Sequence, residues 1–237
     1  MRIHIVLAHP EPRSFCGAMA KRAADEVLAM GHDVIESDLY AEGFEAVGGR
    51  ADFVSPTGGE PFHYQSEQRH AANTDSYATD IAREQERVAA ADGHIFVFPL
   101  WWGGMPAILK GWFDRVLSYG FAYEDGMRYQ SGYFSGRAAL LGTSTGGTER
   151  RFSESGDYGT MAQVLWPIQH CMIEYLGLRT VEPFTAYASP RVDDATRTQY
   201  LDAWSASVRE LVTLVSKPGR PLGPPPGWER PRTWVSS

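Results

Sequence analysis

The stretch Ile95–Val116, IFVFPLWWGGMPAILKGWFDRV, decides the fold. Its first six residues, Ile95–Leu100, are apolar without alternation. A strand of that kind is buried on both faces, as in a parallel sheet covered by helices. Pro106 stands where a helix would begin, a position at which its missing N–H costs nothing. Ile108, Leu109, Trp112, Phe113, Val116 and Leu117 then recur at helical spacing. A buried strand, a turn of tryptophan and glycine, and an amphipathic helix form half of a βα crossover unit.

The same alternation continues on both sides. Ile3–Ala8 reads as a first strand. Ser14 caps a helix with Met19, Ala23, Val27 and Met30 on one face, and Gly31 stops it. Asp33–Ser37 reads as a second strand. Residues 41–75 are rich in Gly, Pro and polar groups and read as an irregular excursion. Ile81, Val88 and Ala91 mark a helix before the central strand. After it comes a hairpin, then a fourth strand around AALL in Arg137–Gly142. Met161–Leu176 has helical spacing, which Pro167 kinks or restarts. Val181–Tyr187 is a fifth strand, and Leu201, Trp204, Val208, Leu211 and Val215 form a last helical stripe. From Pro218 the chain is too rich in proline for regular structure. The expected fold is α/β: a flavodoxin-like, doubly wound five-stranded parallel sheet with helices on both faces. Ligands of such sheets sit beyond the carboxyl ends of the strands, here residues 8–16, 99–106 and 143–160.

Composition narrows the partners. The chain has 237 residues, with 22 Lys plus Arg against 29 Asp plus Glu, a net charge of −7. That sign repels phosphate backbones, so no nucleic-acid binding is expected. No apolar run approaches a membrane span, so no membrane insertion is expected. Cys16 and Cys171 form no cluster, and His63, His70 and His94 do not converge; no metal is assigned, and a cytoplasmic location is expected. The surplus lies in the aromatics, at 12% with seven Trp. Trp112, Trp166 and Trp204 read as core, and Trp228 and Trp234 as tail residues packed on the chain's own body or across a dimer.

Three loops carry chemistry. His9–Phe15 leads into a helix N-terminus whose free N–H groups suit a phosphate, with His9, Arg13 and Ser14 adding donors. The plainer reading is a capped turn. Pro99–Pro106 sets Trp101 and Trp102 before two glycines, which suits a flat ring; the plainer reading is core tryptophan and a tight turn. Ser144–Gly147, STGG, offers backbone amides to an anionic edge such as that of a reduced flavin. No GxGxxG or GxxxxGK[ST] is present. Residues 142–146 also match GxSxG, a nucleophile elbow, with His170 the one downstream histidine.

Together, HPEPRSFCGAM, VIESDLYAEGF, FVFPLWWGGMPAILKGWFDRV, GFAY, STGG, MAQVLWPIQ and the region of Arg197 resemble the NAD(P)H:quinone oxidoreductase family, DT-diaphorase-like and flavodoxin-like in fold. The resemblance runs from near residue 1 to about 216, so residues 1–216 are expected to form a flavin-binding domain and 217–237 a Pro-rich tail. It implies FAD (with FMN possible), NAD(P)H as co-substrate, a quinone-like acceptor, ping-pong turnover and a homodimer with shared sites. His9, Phe15 and Cys16 match positions around the flavin's ribityl and diphosphate part; the family commonly has Asn where Cys16 stands. Pro99, Leu100, Trp101, Trp102 and Gly103 match the ring cradle, Gly103 standing in place of a bulky aromatic. Ser144, Thr145, Gly146 and Gly147 match the loop at the pyrimidine edge. Arg197 matches a basic residue on the adenine side, with Asp194 beside it. His63 stands for a family Gln, and Tyr123 matches a pocket tyrosine supplied by the partner subunit. Phe152 and Tyr158 occupy the places of the family's catalytic tyrosine and histidine. Tyr158 is therefore the catalytic candidate with the Gly146 and Gly147 amides, and Trp102, Gly103, Tyr123, Phe152 and Tyr158 the substrate pocket. Two other classes stay open: a regulatory flavoprotein subunit of a membrane transporter, and the GxSxG hydrolase.

Overall fold

A computed structural model of the chain describes residues 1–215. The expected tail, with Trp228 and Trp234, lies outside the described residues. Six strands run Arg2–Leu7 (β1), Asp33–Asp38 (β2), Gly93–Pro99 (β3), Ala138–Ser144 (β4), Arg179–Thr180 (β5) and Phe184–Ala186 (β6). They pair in parallel in the order β2-β1-β3-β4-β5, with β6 continuing beside β4. The fifth expected strand is thus two short pieces. Pro183 lies between them, and a proline cannot donate to the ladder.

Six helices flank the sheet: Phe15–Ala29 (α1), Tyr64–Thr74 (α2), Thr79–Ala90 (α3), Ala107–Val116 (α4), Met161–Ile168 (α5) and Asp194–Leu214 (α6). Side chains of α1 and α6 pack with Ile3, Ile5, Ile95 and Leu140 on one face. Those of α3, α4 and α5 pack with Val6, Phe96, Phe98 and Leu141 on the other. Both faces of β3 and β4 are therefore buried, as their unbroken apolar runs require.

One fully buried tryptophan anchors each face. Trp204 of α6 donates its indole N–H to the Met19 carbonyl of α1 at 2.8 Å. A Cβ on Gly142 would lie 2.5 Å from the Trp204 ring, so only glycine lets α6 sit this close to β4. On the opposite face, Trp112 donates to Glu84 Oε2 at 2.8 Å. Burying an indole satisfied in this way contributes on the order of 2–3 kcal/mol.

Four further expectations need correction. Residues 41–75 contain the helix α2. Its sequence is largely polar, and two kinds of contact hold it: Tyr64, Ala71 and Ala72 pack in a small cluster with Phe53, Tyr77 and Ile81, and Gln68 accepts from the Tyr119 N–H and donates to the Asp114 carbonyl. Trp166 is not core but about half exposed, because Met161, Leu165 and Ile168 form the buried face of α5. Helix α5 runs through Pro167 and widens into a π turn at Gln169–Ile173. The hairpin before β4 is reduced to a bridge between Glu124 and Met127. No helix among the described residues is long and apolar enough to cross a membrane.

Adjacent strands bury two histidines side by side. His4 and His94 pair across β1 and β3 with ring centroids 5.7 Å apart. Ser37 donates to Glu84, so its oxygen accepts from His4 Nε2 at 2.8 Å. Burial pushes His4 down to about 3, and His94 also well below its ordinary value. Both are neutral in the folded state, whereas the unfolded chain binds their protons below about pH 6.5. Stability therefore falls as pH drops below 6.5, by about 1.4 kcal/mol per pH unit for each fully neutral site. Neither ring nitrogen of His94 has a hydrogen-bond partner among the described residues. His94→Phe should thus stabilise the fold, and more at pH 5 than at pH 7. Urea unfolding midpoints at both pH values check this; an equal difference at the two would refute it.

Candidate active site

The loops after β1, β3 and β4 meet the start of α6 around a cleft of about 610 Å³. That lies within the range of small-molecule and cofactor sites, about 300–1,000 Å³. The first loop supplies His9, Arg13, Ser14 and Phe15. The Ser14 hydroxyl oxygen accepts from the Gly17 N–H at 3.1 Å and caps α1, so a helix N-terminus opens at the cleft. His9 Nδ1 accepts from the Glu11 N–H at 3.0 Å. Partial burial lowers the His9 pKa. The ring is therefore neutral with its proton on Nε2, a donor. Arg13 bonds Glu11 at 3.1 Å.

Cys16 differs from its expected role. It is fully buried, with its sulfur 3.1 Å from Ser144 Oγ. Burial pushes its thiol up to about 11, so it stays protonated. It braces the end of β4 and does not line the cleft.

The second loop supplies Pro99, Leu100 and Trp101. Trp101 and Gly104 exchange both backbone hydrogen bonds at 3.0 Å. The two residues between them, Trp102 and Gly103, have φ of 51° and 72°. Two positive φ values in a two-residue turn are the signature of type I′. Glycine takes that conformation freely; a tryptophan there costs roughly 1 kcal/mol. The strained Trp102 ring is fully exposed, one residue beyond the cleft wall. Strain that holds an aromatic ring in water at a cleft rim points to function.

The third loop supplies Ser144, Thr145 and Gly146. It is clamped from behind: Thr145 N–H donates to the Ala186 carbonyl at 3.0 Å, and Ser189 N–H to the Thr145 carbonyl at 3.1 Å. Gly147 turns its N–H to Thr145 Oγ1 at 3.1 Å, so its amide is already used. The Gly146 N–H has no such partner among the described residues and remains available to a ligand. Phe152 is buried against Gly147, with its ring 5.1 Å from that of the half-exposed Tyr158. Neither ring lines the cleft.

From α6, Arg197 reaches the wall and pairs with the exposed Asp194 at 2.7 Å. Ser189, Pro190 and Leu201 also line it and carry no motif that sequence reading could catch. Tyr123 lies elsewhere, in a second cleft with His63, Tyr64 and Gln65. There, Gln65 donates to its hydroxyl at 3.3 Å.

The hydrolase reading fails on geometry. Ser144 ends a regular strand without a positive φ, and its hydroxyl meets Cys16. His170 is bound to Glu174 at 2.8 Å, in the segment after α5. Among the described residues, no group of three His, Cys, Asp or Glu could hold a metal.

The donor set divides by chemistry. A helix N-terminus, a neutral histidine and two arginines mark one side for an anion, while Pro99, Leu100 and Trp101 offer a flat apolar wall beside the free Gly146 N–H. A flavin nucleotide, with an anionic diphosphate and a planar ring with a polar edge, fits that division.

Comparison with known proteins gives the same direction. The family model described as flavodoxin-like fold matches residues 1–208. The NAD(P)H dehydrogenase (quinone) 1 of Rattus norvegicus is 41% identical over 204 residues, covering 86% of this chain and 74% of that protein. The ribosyldihydronicotinamide dehydrogenase (quinone) of Pongo abelii is 39% identical over 211 residues, covering 89% and 91%. Among solved structures, a protein from Klebsiella pneumoniae assigned as a quinone reductase superposes with a TM-score of 0.85 at 36% identity, covering 89% of this chain and 85% of that one. Similarity at that level over nearly nine-tenths of the chain places it in the NAD(P)H:quinone oxidoreductase family.

Proposed function

We propose that the protein is a cytoplasmic, FAD-dependent oxidoreductase that carries a hydride from NAD(P)H to quinones or similar acceptors. The observation that carries this reading is the divided cleft: anion donors at the start of α1, a flat wall at the end of β3 and a free amide after β4. The 39–41% identity to quinone dehydrogenases supports it. A flavin held there would supply the two-electron hydride chemistry between NAD(P)H and the acceptor.

The chain's own groups supply placement and electrostatics. The α1 N-terminus, with His9 Nε2–H, Arg13 and Ser14, would hold the diphosphate. Arg197 would reach toward the adenine side, which favours FAD over FMN. Pro99, Leu100 and Trp101 would support the ring, and the Gly146 N–H would face its pyrimidine edge. Trp102 would cover the substrate, with Gly103 leaving room beside it. Tyr158 would donate a hydrogen bond that Phe152 cannot. With one cleft for donor and acceptor, turnover would be ping-pong. A homodimer would bring Tyr123 of one copy to the site of the other. Residues 1–216 would make the flavin-binding domain, and 217–237 an appended tail. The named relatives are dehydrogenases, so a transporter-subunit role is not carried forward.

Trp102→Ala should raise the apparent KM for quinone or increase flavin loss by several-fold, read by steady-state kinetics and by flavin retained on gel filtration. If neither moves, the ring does not meet the ligand. Tyr158→Phe removes one hydrogen bond and should slow flavin reduction by NAD(P)H roughly 3–10-fold in stopped flow; an unchanged rate excludes Tyr158 from the chemistry.

A further inference from the structure

The third loop carries a positive charge that no sequence pattern announces. Arg191 donates from Nη2 to the carbonyl oxygen of Gly146. Its Nη1 lies 3.9 Å from where a Gly146 Cβ would stand. Its backbone is fixed by an N–H bond to the Ala188 carbonyl at 2.8 Å, within the segment that clamps the loop.

Arg13 and Arg197 line the cleft, and Arg191 stands just behind its wall against Gly146, but the three charges are not equivalent. Arg13 is matched by Glu11 at 3.1 Å and Arg197 by Asp194 at 2.7 Å. No carboxylate pairs with Arg191 among the described residues. Arg151, further along the same loop, lies 6.0 Å over the Tyr158 ring, and the atom found within 4 Å of a Gly146 Cβ belongs to Arg191. His9 stands on the opposite loop and is neutral.

A flavin gathers negative charge on its pyrimidine edge when reduced, and a fixed cation beside that edge favours the reduced state. Phe152 and Tyr158 cannot provide one, since neither can become a cation. We infer that Arg191 supplies the positive charge at the pyrimidine end of the flavin site, the function that Phe152 and Tyr158 leave unfilled. Its guanidinium holds the carbonyl of Gly146, the residue whose N–H is free, and adds an unneutralised charge beside it. This inference rests on the flavin-site reading of the cleft.

The test compares wild type, Arg191→Gln and Arg191→Lys, each with FAD in excess. Two readouts avoid turnover: the flavin midpoint potential, and the affinity for sulfite, read from bleaching of the visible band. Sulfite donates its sulfur lone pair to flavin N5, and the displaced electron pair leaves negative charge on the pyrimidine, so its affinity reports a nearby cation. Arg191→Gln should weaken sulfite binding at least tenfold. It should also lower the potential by at least about 30 mV, which is tenfold for a two-electron couple. Arg191→Lys, which keeps the charge, should stay within about threefold of wild type. Wild-type values in Arg191→Gln would overturn the assignment while leaving the flavin site intact. A loss in Arg191→Lys equal to that in Arg191→Gln would also overturn it, because shape rather than charge would then be responsible. Wild-type protein that binds no flavin would overturn both the assignment and the reading on which it rests.

Discussion

The structure depends on a reversal of direction within the sheet. After β1 the chain turns to α1 on one face; after β3 it turns to α4 on the other. The strand order β2-β1-β3-β4-β5 makes β1 and β3 neighbours, so their outgoing loops must part. The gap between them is the cleft, and it exists before any side chain is chosen. Packing on the two faces then holds it open. Trp204 pins α6 and α1 against Gly142, while Trp112 pins α4 to Glu84 on the reverse side.

What fills the cleft wall follows from which part of each element reaches it. The start of α1 brings unsatisfied N–H groups and a positive dipole end, which no side-chain change would remove. The end of β3 brings apolar residues, because a strand buried on both faces stays apolar to its last residue. The end of β4 brings backbone, since Thr145, Gly146 and Gly147 present little else. The polar and apolar halves of the site are thus consequences of the topology. Trp102 is the exception, held in a strained turn and exposed to water.

Much of this was legible in the residues. Unbroken apolar runs gave β3 and β4, and helical stripes gave α1, α4 and α6. Patterns failed where other forces act. Helix α2 has only a small apolar face, Tyr64, Ala71 and Ala72, too weak for periodicity to find; it packs on Phe53, Tyr77 and Ile81, and Gln68 ties it to backbone partners. Trp166 sits one position away from the Met161, Leu165 and Ile168 face, and apolar character alone placed it wrongly in the core. Of the site residues, His9, Ser14, Trp101 and Gly146 were readable because they follow strands directly. Cys16 was readable as a neighbour of the site, but its inward direction was not. Arg191 was invisible, because it reaches Gly146 from 45 residues away through a loop with no motif.

The central claim is that the cleft holds a flavin that passes electrons from NAD(P)H to a quinone. The direct measurement is the visible spectrum of the purified protein, with the released cofactor weighed by mass spectrometry. The account predicts a yellow protein carrying one FAD per chain, bleached by NAD(P)H under anaerobic conditions and restored by a quinone. A colourless protein that takes up neither FAD nor FMN would contradict it.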